Sequence, residues 1–402
     1  MAGLTNIEQA CVERASGEPM LAQVETWAAV NSGTRNLAGL ANIAATLADT
    51  FSMLPGELQL LHPAPVEAIA ADGKAFAIDH GRNLHLTVRP EAPLQLLFTG
   101  HMDTVFGADH PFQTVHWIED GVLGGPGVAD MKGGIAVMLA ALKAIEASGE
   151  TRSFGYEVVI NSDEEVGSPG SAALIARAAR GKRAALTYEP AALPDGTLAG
   201  ARPGSGNFSF VVTGKSAHAG RNPEDGRNAL LAAADLALRL ARGKGPQLNI
   251  NPAKIDGGGP NNVVPDSAVL RVNFRPATLD DQASAQALIA GVMAQIAAEH
   301  EVGIHTHGGF ARPPKPMTNE AGALFGLVRQ AGADLGQAID WQATGGVCDG
   351  NNIAACGVPI VDTMGVRGGK IHSMEEYLIT DSLAERAALS ALTILRLAGG
   401  AA

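Results

Sequence analysis

At 402 residues the chain exceeds the size at which one hydrophobic core stops growing, so two domains are expected. Hydrophobic residues make up 46% of it but aromatics only 4%, which points to a soluble globular protein with a core of Ala, Leu, Val and Ile. A formal charge of −12 argues against a nucleic acid or an anionic membrane as partner.

The three cysteines, Cys11, Cys348 and Cys356, form no Cys-x-x-Cys, so neither a disulfide framework nor a zinc ribbon is supported and a reducing compartment fits. The first residues carry Glu8, Glu13 and Glu18 without an apolar stretch after a basic start. No uncharged apolar run reaches the roughly 18 residues of a bilayer span. No membrane partner and a cytoplasmic location are the expectations.

In chain order, helical spacing predicts helices over about Met20 to Val30 and Asn36 to Phe51. Strands follow over Leu84 to Val88 and Leu94 to Phe98, then an Ala-rich helix from Ile135 to Ile145 just past Gly133-Gly134. Tyr156 to Asn161 and Ala184 to Tyr188 are short apolar strands closing on Ser162-Asp163-Glu164-Glu165 and on Glu189-Pro190. Strands alternating with helices predict an α/β fold, a mixed and mostly parallel sheet flanked by helices, with ligand groups at the carboxyl ends of its strands.

The middle of the chain changes character. Asn207 to Thr213, Ala253 to Gly257, Ala268 to Phe274 and Val302 to Thr306 read as strands, with helices over Arg227 to Arg242 and Gln282 to His300. That order is a ferredoxin-like α+β arrangement inserted over 204–313, its borders marked by Gly and Pro. The first domain then comprises 1–203 and 314–402, the latter adding a helix near Glu320 to Ala331, a Gly-rich segment from Thr344 to Asn352, a strand Ile360 to Asp362 and a closing helix Thr380 to Leu397.

The chemistry lies at the strand ends. His101 and Asp103, in Gly-His-Met-Asp-Thr-Val, leave the same side of an extended backbone, so His101 reads as a metal ligand and Asp103 as the carboxylate that orients it. Asp130, in a Gly-rich turn, has the two oxygens a bridge between cations requires. Glu164 and Glu165, adjacent in extended backbone, diverge, so one can bind a metal and the other face the water it activates. Glu189 adds a hard oxygen ligand and His372 a second imidazole. Singly, each of these is an ordinary loop or turn residue. Together they describe a two-metal hydrolase site suited to zinc, with cobalt or manganese as alternatives.

These motifs, Gly-His-Met-Asp-Thr-Val, Gly-Val-Ala-Asp-Met-Lys-Gly-Gly, Asp-Glu-Glu-Val-Gly-Ser, Glu189 and His372, resemble those of the dinuclear zinc aminoacylases and glutamate carboxypeptidases, which include acetylornithine and succinyl-diaminopimelate deacylases. The pattern is most similar to the bacterial glutamate carboxypeptidases. The resemblance implies two zinc ions per subunit: His101 and Glu189 on one, Glu165 and His372 on the other, Asp130 between them. It implies that Glu164 is general base and then acid. It also implies that the inserted domain is a lid that forms a homodimer, with His218 reaching the partner's site to stabilise the oxyanion. Asn262, Arg275 and Arg312 are then substrate-facing, an arginine being well shaped to hold a carboxylate.

The substrate implied is a small peptide or N-acyl amino acid with a free α-carboxylate. Carboxypeptidase and deacylase share every motif quoted. Arg367 and Lys370, close to His372, are extra cations that would either favour an acidic side chain or simply fill the pocket differently; Cys348 reads as packing, and His305 and His307 as the polar face of a lid strand. The Gly-rich stretches Gly124 to Gly127 and Gly257 to Gly259 do not fit a phosphate-binding loop. A binding protein with a dead site is opposed by the presence of Glu164.

Overall fold

The computed structural model describes residues 3–149 and 154–400. A six-stranded sheet runs in the order Glu57–Leu61, Asn83–Val88, Phe154–Asn161, Leu94–His101, Ala184–Thr187, Ile360–Val361. The first two pairings are antiparallel and the other three parallel. The parallel strands are apolar along their length because both faces are covered. Leu96, Phe98, Val158 and Ile160 join one core, while Leu97, Val159 and Ala185 point to another.

Over the first face lies Gly134–Ser148, buried nearly all round, as a helix apolar on every side must be. Asn6–Ser16, Met20–Ala28 and Asp381–Ala398 enclose it. Ala172–Ala179 and Asp349–Ala354 cover the opposite face. Three layers result, and the parallel strands deliver His101, Asn161 and Thr187 to one edge.

Between Ser205 and Arg312 the chain builds a second sheet, in the order Leu248–Gly257, Ser267–Pro276, Ser205–Thr213, Gly303–Arg312, antiparallel throughout. Helices Ala229–Arg242 and Leu279–Glu299 pack on it over a separate core that includes Phe210, Leu236, Leu270, Phe274 and Ile296. Asn228 caps the first helix by accepting the Leu231 amide, and Thr278 and Asp281 cap the second reciprocally. Among the described residues, no helix is long and apolar enough to cross a membrane.

Several elements exceed or escape the sequence reading. The expected short strand Ala253 to Gly257 starts at Leu248: Asn249, Asn251 and Pro252 are poor strand formers, and the ladder slips between Pro252 and Lys254, a bulge that accommodates the proline. The helix Asn6–Ser16, closed by a Thr5–Glu8 capping box, was not anticipated. Nor was the hairpin Val66–Ile69 with Ala75–Ile78, which reaches the second sheet, where Arg271 donates to the Ile69 carbonyl at 2.9 Å.

Candidate metal centre

His101 closes the strand Leu94–His101 and is 1% exposed. Its Nδ1 faces the Asp103 carbonyl at 3.0 Å and the Asp103 carboxylate at 3.4 Å. With only acceptors there, the ring proton belongs on Nδ1, which leaves the Nε2 lone pair for a metal. That atom lies 3.1 Å from Asp130 Oδ1 and 3.6 Å from Glu189 Oε2. The other oxygen of Asp130 is 3.3 Å from His372 Nε2, which is also 3.0 Å from Glu165 Oε2. Asp130 thus stands between two imidazoles, each with a second carboxylate beside it.

Asp130 owes its position to a turn that is not helical. Gly127 is left-handed at φ 74°, and Asp130 (φ −113°, ψ 90°) and Met131 (φ −134°, ψ 40°) leave the helical region before the helix Gly134–Ser148 begins. A cis peptide joins Asp130 to Met131.

Glu164 and Glu165 do not lie in extended backbone as expected. They form a single tight turn, Glu164–Val166, closed by Gly167 at φ 96°. Asp103 holds that turn from outside, accepting the Glu164 amide at 3.1 Å, the Glu165 amide at 3.3 Å and the Thr34 hydroxyl at 2.7 Å. The two carboxylates still part: Glu165 meets His372, and Glu164 Oε1 lies 2.7 Å from Arg312 Nη2.

The electrostatics fit a cation site. Burial, reinforced by neighbouring carboxylates, pushes Glu165 and Glu189 up to about 8 each. Burial raises Glu164 too, against the opposing charge of Arg312. For Asp130 burial acts upward as well, but hydrogen bonds from both histidines outweigh it and hold the group low. Burial would lower His101, yet Glu189 and the hydrogen-bonding carboxylates raise it. Donor atoms of His101, Asp130 and Glu165, and again of His101, Glu164 and Glu189, lie within 4.8 Å of one another. Such a cluster of buried carboxylates and imidazole nitrogens suits divalent cations.

The centre opens into a cleft of about 230 Å³ lined by Asp130, Glu164, Glu189, Arg202, Cys348 and His372, among others. A larger groove of about 610 Å³ lies on the second unit, between Leu279–Glu299 and Gly303–Arg312, but no ionisable side chain lines it. The chemistry belongs to the smaller cleft.

The remaining residues singled out in the sequence fall elsewhere. His218 and Asn262 meet at one end of the second unit, where the Ala219 amide donates to the Asn262 carbonyl, and both are exposed. Among the described residues neither makes a hydrogen bond or ion pair with the metal centre of its own chain. Arg275 donates to the Gly345 carbonyl at 3.1 Å, beside the cleft. Arg312 is buried against Glu164, the Glu164 carbonyl and Ser168. Arg367 is tied to Glu385 and to the Pro194 carbonyl, while Lys370 stays exposed near Glu375. Cys348 caps the helix Asp349–Ala354.

Two groups escaped the sequence reading. Arg202, in the Arg-Pro-Gly border, lines the cleft and forks onto Asp362 at 2.8 and 3.1 Å. Glu376, four residues past His372, holds the Asp130 turn. Only its spacing from His372 could have drawn notice.

The profile of the peptidase family M20/M25/M40 matches residues 97–396. Carboxypeptidase G2 of Pseudomonas sp. (strain RS-16) is 32% identical over 343 residues, covering 81% of this chain and 80% of the relative. The succinyl-diaminopimelate desuccinylase of Stenotrophomonas maltophilia (strain K279a) is 30% identical over 335 residues, 77% of this chain and 86% of that one. The fold is similar to that of a tripeptidase from Staphylococcus aureus subsp. aureus mu50, with a TM-score of 0.71 at 24% identity over 97% of this chain and 99% of the other. The chain is a metal-dependent hydrolase of the metallopeptidase and amidohydrolase type, and it belongs to the peptidase family M20/M25/M40.

Proposed function

We propose that this enzyme hydrolyses the amide bond of a small peptide or N-acyl amino acid that carries a free α-carboxylate, in the manner of a glutamate carboxypeptidase. The observation that carries the reading is Asp130, one oxygen toward His101 and the other toward His372. In this reading two divalent ions, zinc first, are held by His101 with Glu189 and by His372 with Glu165, and Asp130 is shared. Bound there, the ions supply Lewis acidity and bring the pKa of a water molecule toward neutrality.

Glu164, within 4.8 Å of His101 and Glu189 but paired with Arg312, is the carboxylate this ligand set leaves free to act on water. It accepts a proton from the attacking water and returns it to the departing nitrogen. Asp103 fixes its amide and that of Glu165, and so the aim of both side chains.

His218 accepts the Gly220 and Arg221 amides on Nδ1, so its proton sits on Nε2, where it can be donated to an amide oxygen. It does so, in this reading, from the partner of a homodimer formed through the second unit. The apolar groove beside the edge strand Gly303–Arg312 supports that pairing. Arg275 receives the substrate's carboxylate, as does Asn262 when it arrives beside His218 from the partner, and Arg312 if it releases Glu164. Lys370 lines an adjoining pocket with Pro190 and Tyr377 and is the cation left to meet an acidic side chain, since Arg367 is engaged elsewhere. Three unpaired cysteines support a reducing, cytoplasmic setting.

Removal of an N-acyl group is the second reading, supported by the likeness to a desuccinylase. Zinc-loaded protein assayed against dipeptides ending in glutamate and against N-acetyl and N-succinyl amino acids separates the two. Under either reading Glu164→Ala abolishes turnover with metal content near wild type; retained activity would remove the proposed base.

A further inference from the structure

The turn carrying Asp130 satisfies only part of its own backbone, the Lys132 amide donating to the Gly127 carbonyl at 2.9 Å. With Gly127 left-handed and Asp130 and Met131 outside the helical region, the amides of Gly127, Ala129 and Asp130 find no helical acceptor. One buried side chain takes all three. Glu376, 1% exposed, accepts the Ala129 and Asp130 amides on Oε1, each at 3.0 Å, and the Gly127 amide on Oε2 at 3.2 Å. Its own carbonyl accepts the Gly125 amide at 3.3 Å. Three N–H groups converging on a carboxylate form an anion-binding concavity, here filled by the protein itself.

The origin of Glu376 gives this contact its meaning. His372 and Glu376 lie on one short segment, folded on itself by the Glu376 amide donating to the Ser373 carbonyl at 3.2 Å. Directly after it, Tyr377–Ile379 pairs with Val122–Gly124, with Tyr377 opposite Gly124 at the entrance to the Asp130 turn. The same few residues therefore present one imidazole to Asp130 and grip the backbone that presents Asp130. Lys132, fully buried in the same turn, donates to the Val30 carbonyl and so ties the turn to the opening helices.

We propose that Glu376 is a positioning residue that sets the spacing of Asp130 and His372 and thereby the affinity for the second metal ion. The inference rests on the two-metal reading. Removing a group that orients a ligand typically costs about 10–100-fold in metal affinity.

The test is cobalt(II) titration of the metal-free wild type, Glu376→Gln and Glu376→Asp against a competing chelator. Absorption and paramagnetic resonance follow the ions, and a melting curve is recorded for each metal-free protein. Wild type should take up two ions that couple through the shared carboxylate. Glu376→Gln should keep the first at near wild-type affinity and bind the second about 10–100-fold more weakly, its coupled signal and kcat returning with excess cobalt while KM stays put. Glu376→Asp, which keeps the charge but is one methylene shorter, should fall between them, and it decides the matter alone if the Gln variant does not fold. Two ions bound as tightly as in wild type would overturn the inference, as would both ions weakening together in step with a lower melting temperature. A wild type that binds no coupled pair would sink the two-metal reading first.

Discussion

Arg312 and Glu164 form a buried ion pair, Nη2 to Oε1 at 2.7 Å, that joins the last strand of the second unit to the proposed general base. The arginine also donates to the Glu164 carbonyl at 2.9 Å and to Ser168 at 3.1 Å, so it grips the turn as well as the charge.

Arg312→Met should therefore damage more than substrate affinity. Burial raises Glu164 and the guanidinium opposes the rise, so its loss lets the carboxyl hold its proton to higher pH. A base must be ionised to work, and the acidic limb of kcat/KM should shift upward in pH as kcat drops by up to about 10²-fold from misplacement. A pH–rate profile of wild type and variant checks this; a change in KM alone would assign Arg312 to substrate binding.

Asp103→Asn should loosen the centre without touching a proposed ligand. The carboxylate accepts from two amides and from Thr34, whereas an amide side chain presents one acceptor and would set its NH₂ against a donor. A loss of about 10–100-fold in metal affinity or activity is expected, read by chelator competition and steady-state rates.

Metal uptake should release protons. Without a cation Glu165 and Glu189 sit near 8, raised chiefly by burial, and hold their protons at neutral pH. Binding requires ionised carboxylates and neutral imidazoles, and the neighbouring carboxylates raise His101 and push His372 up to about 11. Apparent zinc affinity should therefore climb from about pH 6 through 8 and beyond. Calorimetry in two buffers of different ionisation enthalpy should find up to about four protons released per subunit, from the two carboxyls and the two imidazoles.

Asp362 should contribute acid-sensitive stability. It is buried, but the cations Arg202 and Lys315 overcome the burial and hold it down to about 2. Because the folded value lies below the unfolded one, the stabilisation is present above about pH 4 and disappears as pH falls toward 2, on the order of 2 kcal/mol in all. In urea titrations Asp362→Asn should be the less stable protein at neutral pH, and its deficit should narrow between about pH 4 and 2.

What the sequence disclosed and what it hid divide along the range of the forces involved. The strands ending at His101 and before Glu189 were legible because a parallel strand covered on both faces is continuously apolar, and a polar residue at its end stands out. The alternation of Ala268 to Phe274 likewise marked a strand with one buried face. The Asp130 turn was not legible, since its shape is imposed by Glu376 from the far end of the chain. The Glu164–Glu165 turn depends on Gly167 and on the acceptors of Asp103. The partner of Arg312 is a long-range choice that no local pattern records. Pairs of strand residues such as Gly368–Gly369 carry too little periodicity to be noticed at all.

The two imidazoles differ sharply in their access to water: the His101 side chain is 1% exposed and that of His372 is 53% exposed. Of the two proposed metal positions, a chelator arriving from solution meets the imidazole of His372 directly but reaches the His101 position only along the cleft that Glu189 lines. Demetallation should then be sequential, leaving a long-lived species that carries a single ion on the His101 side. Preparations of this enzyme would accordingly differ in occupancy with their purification history.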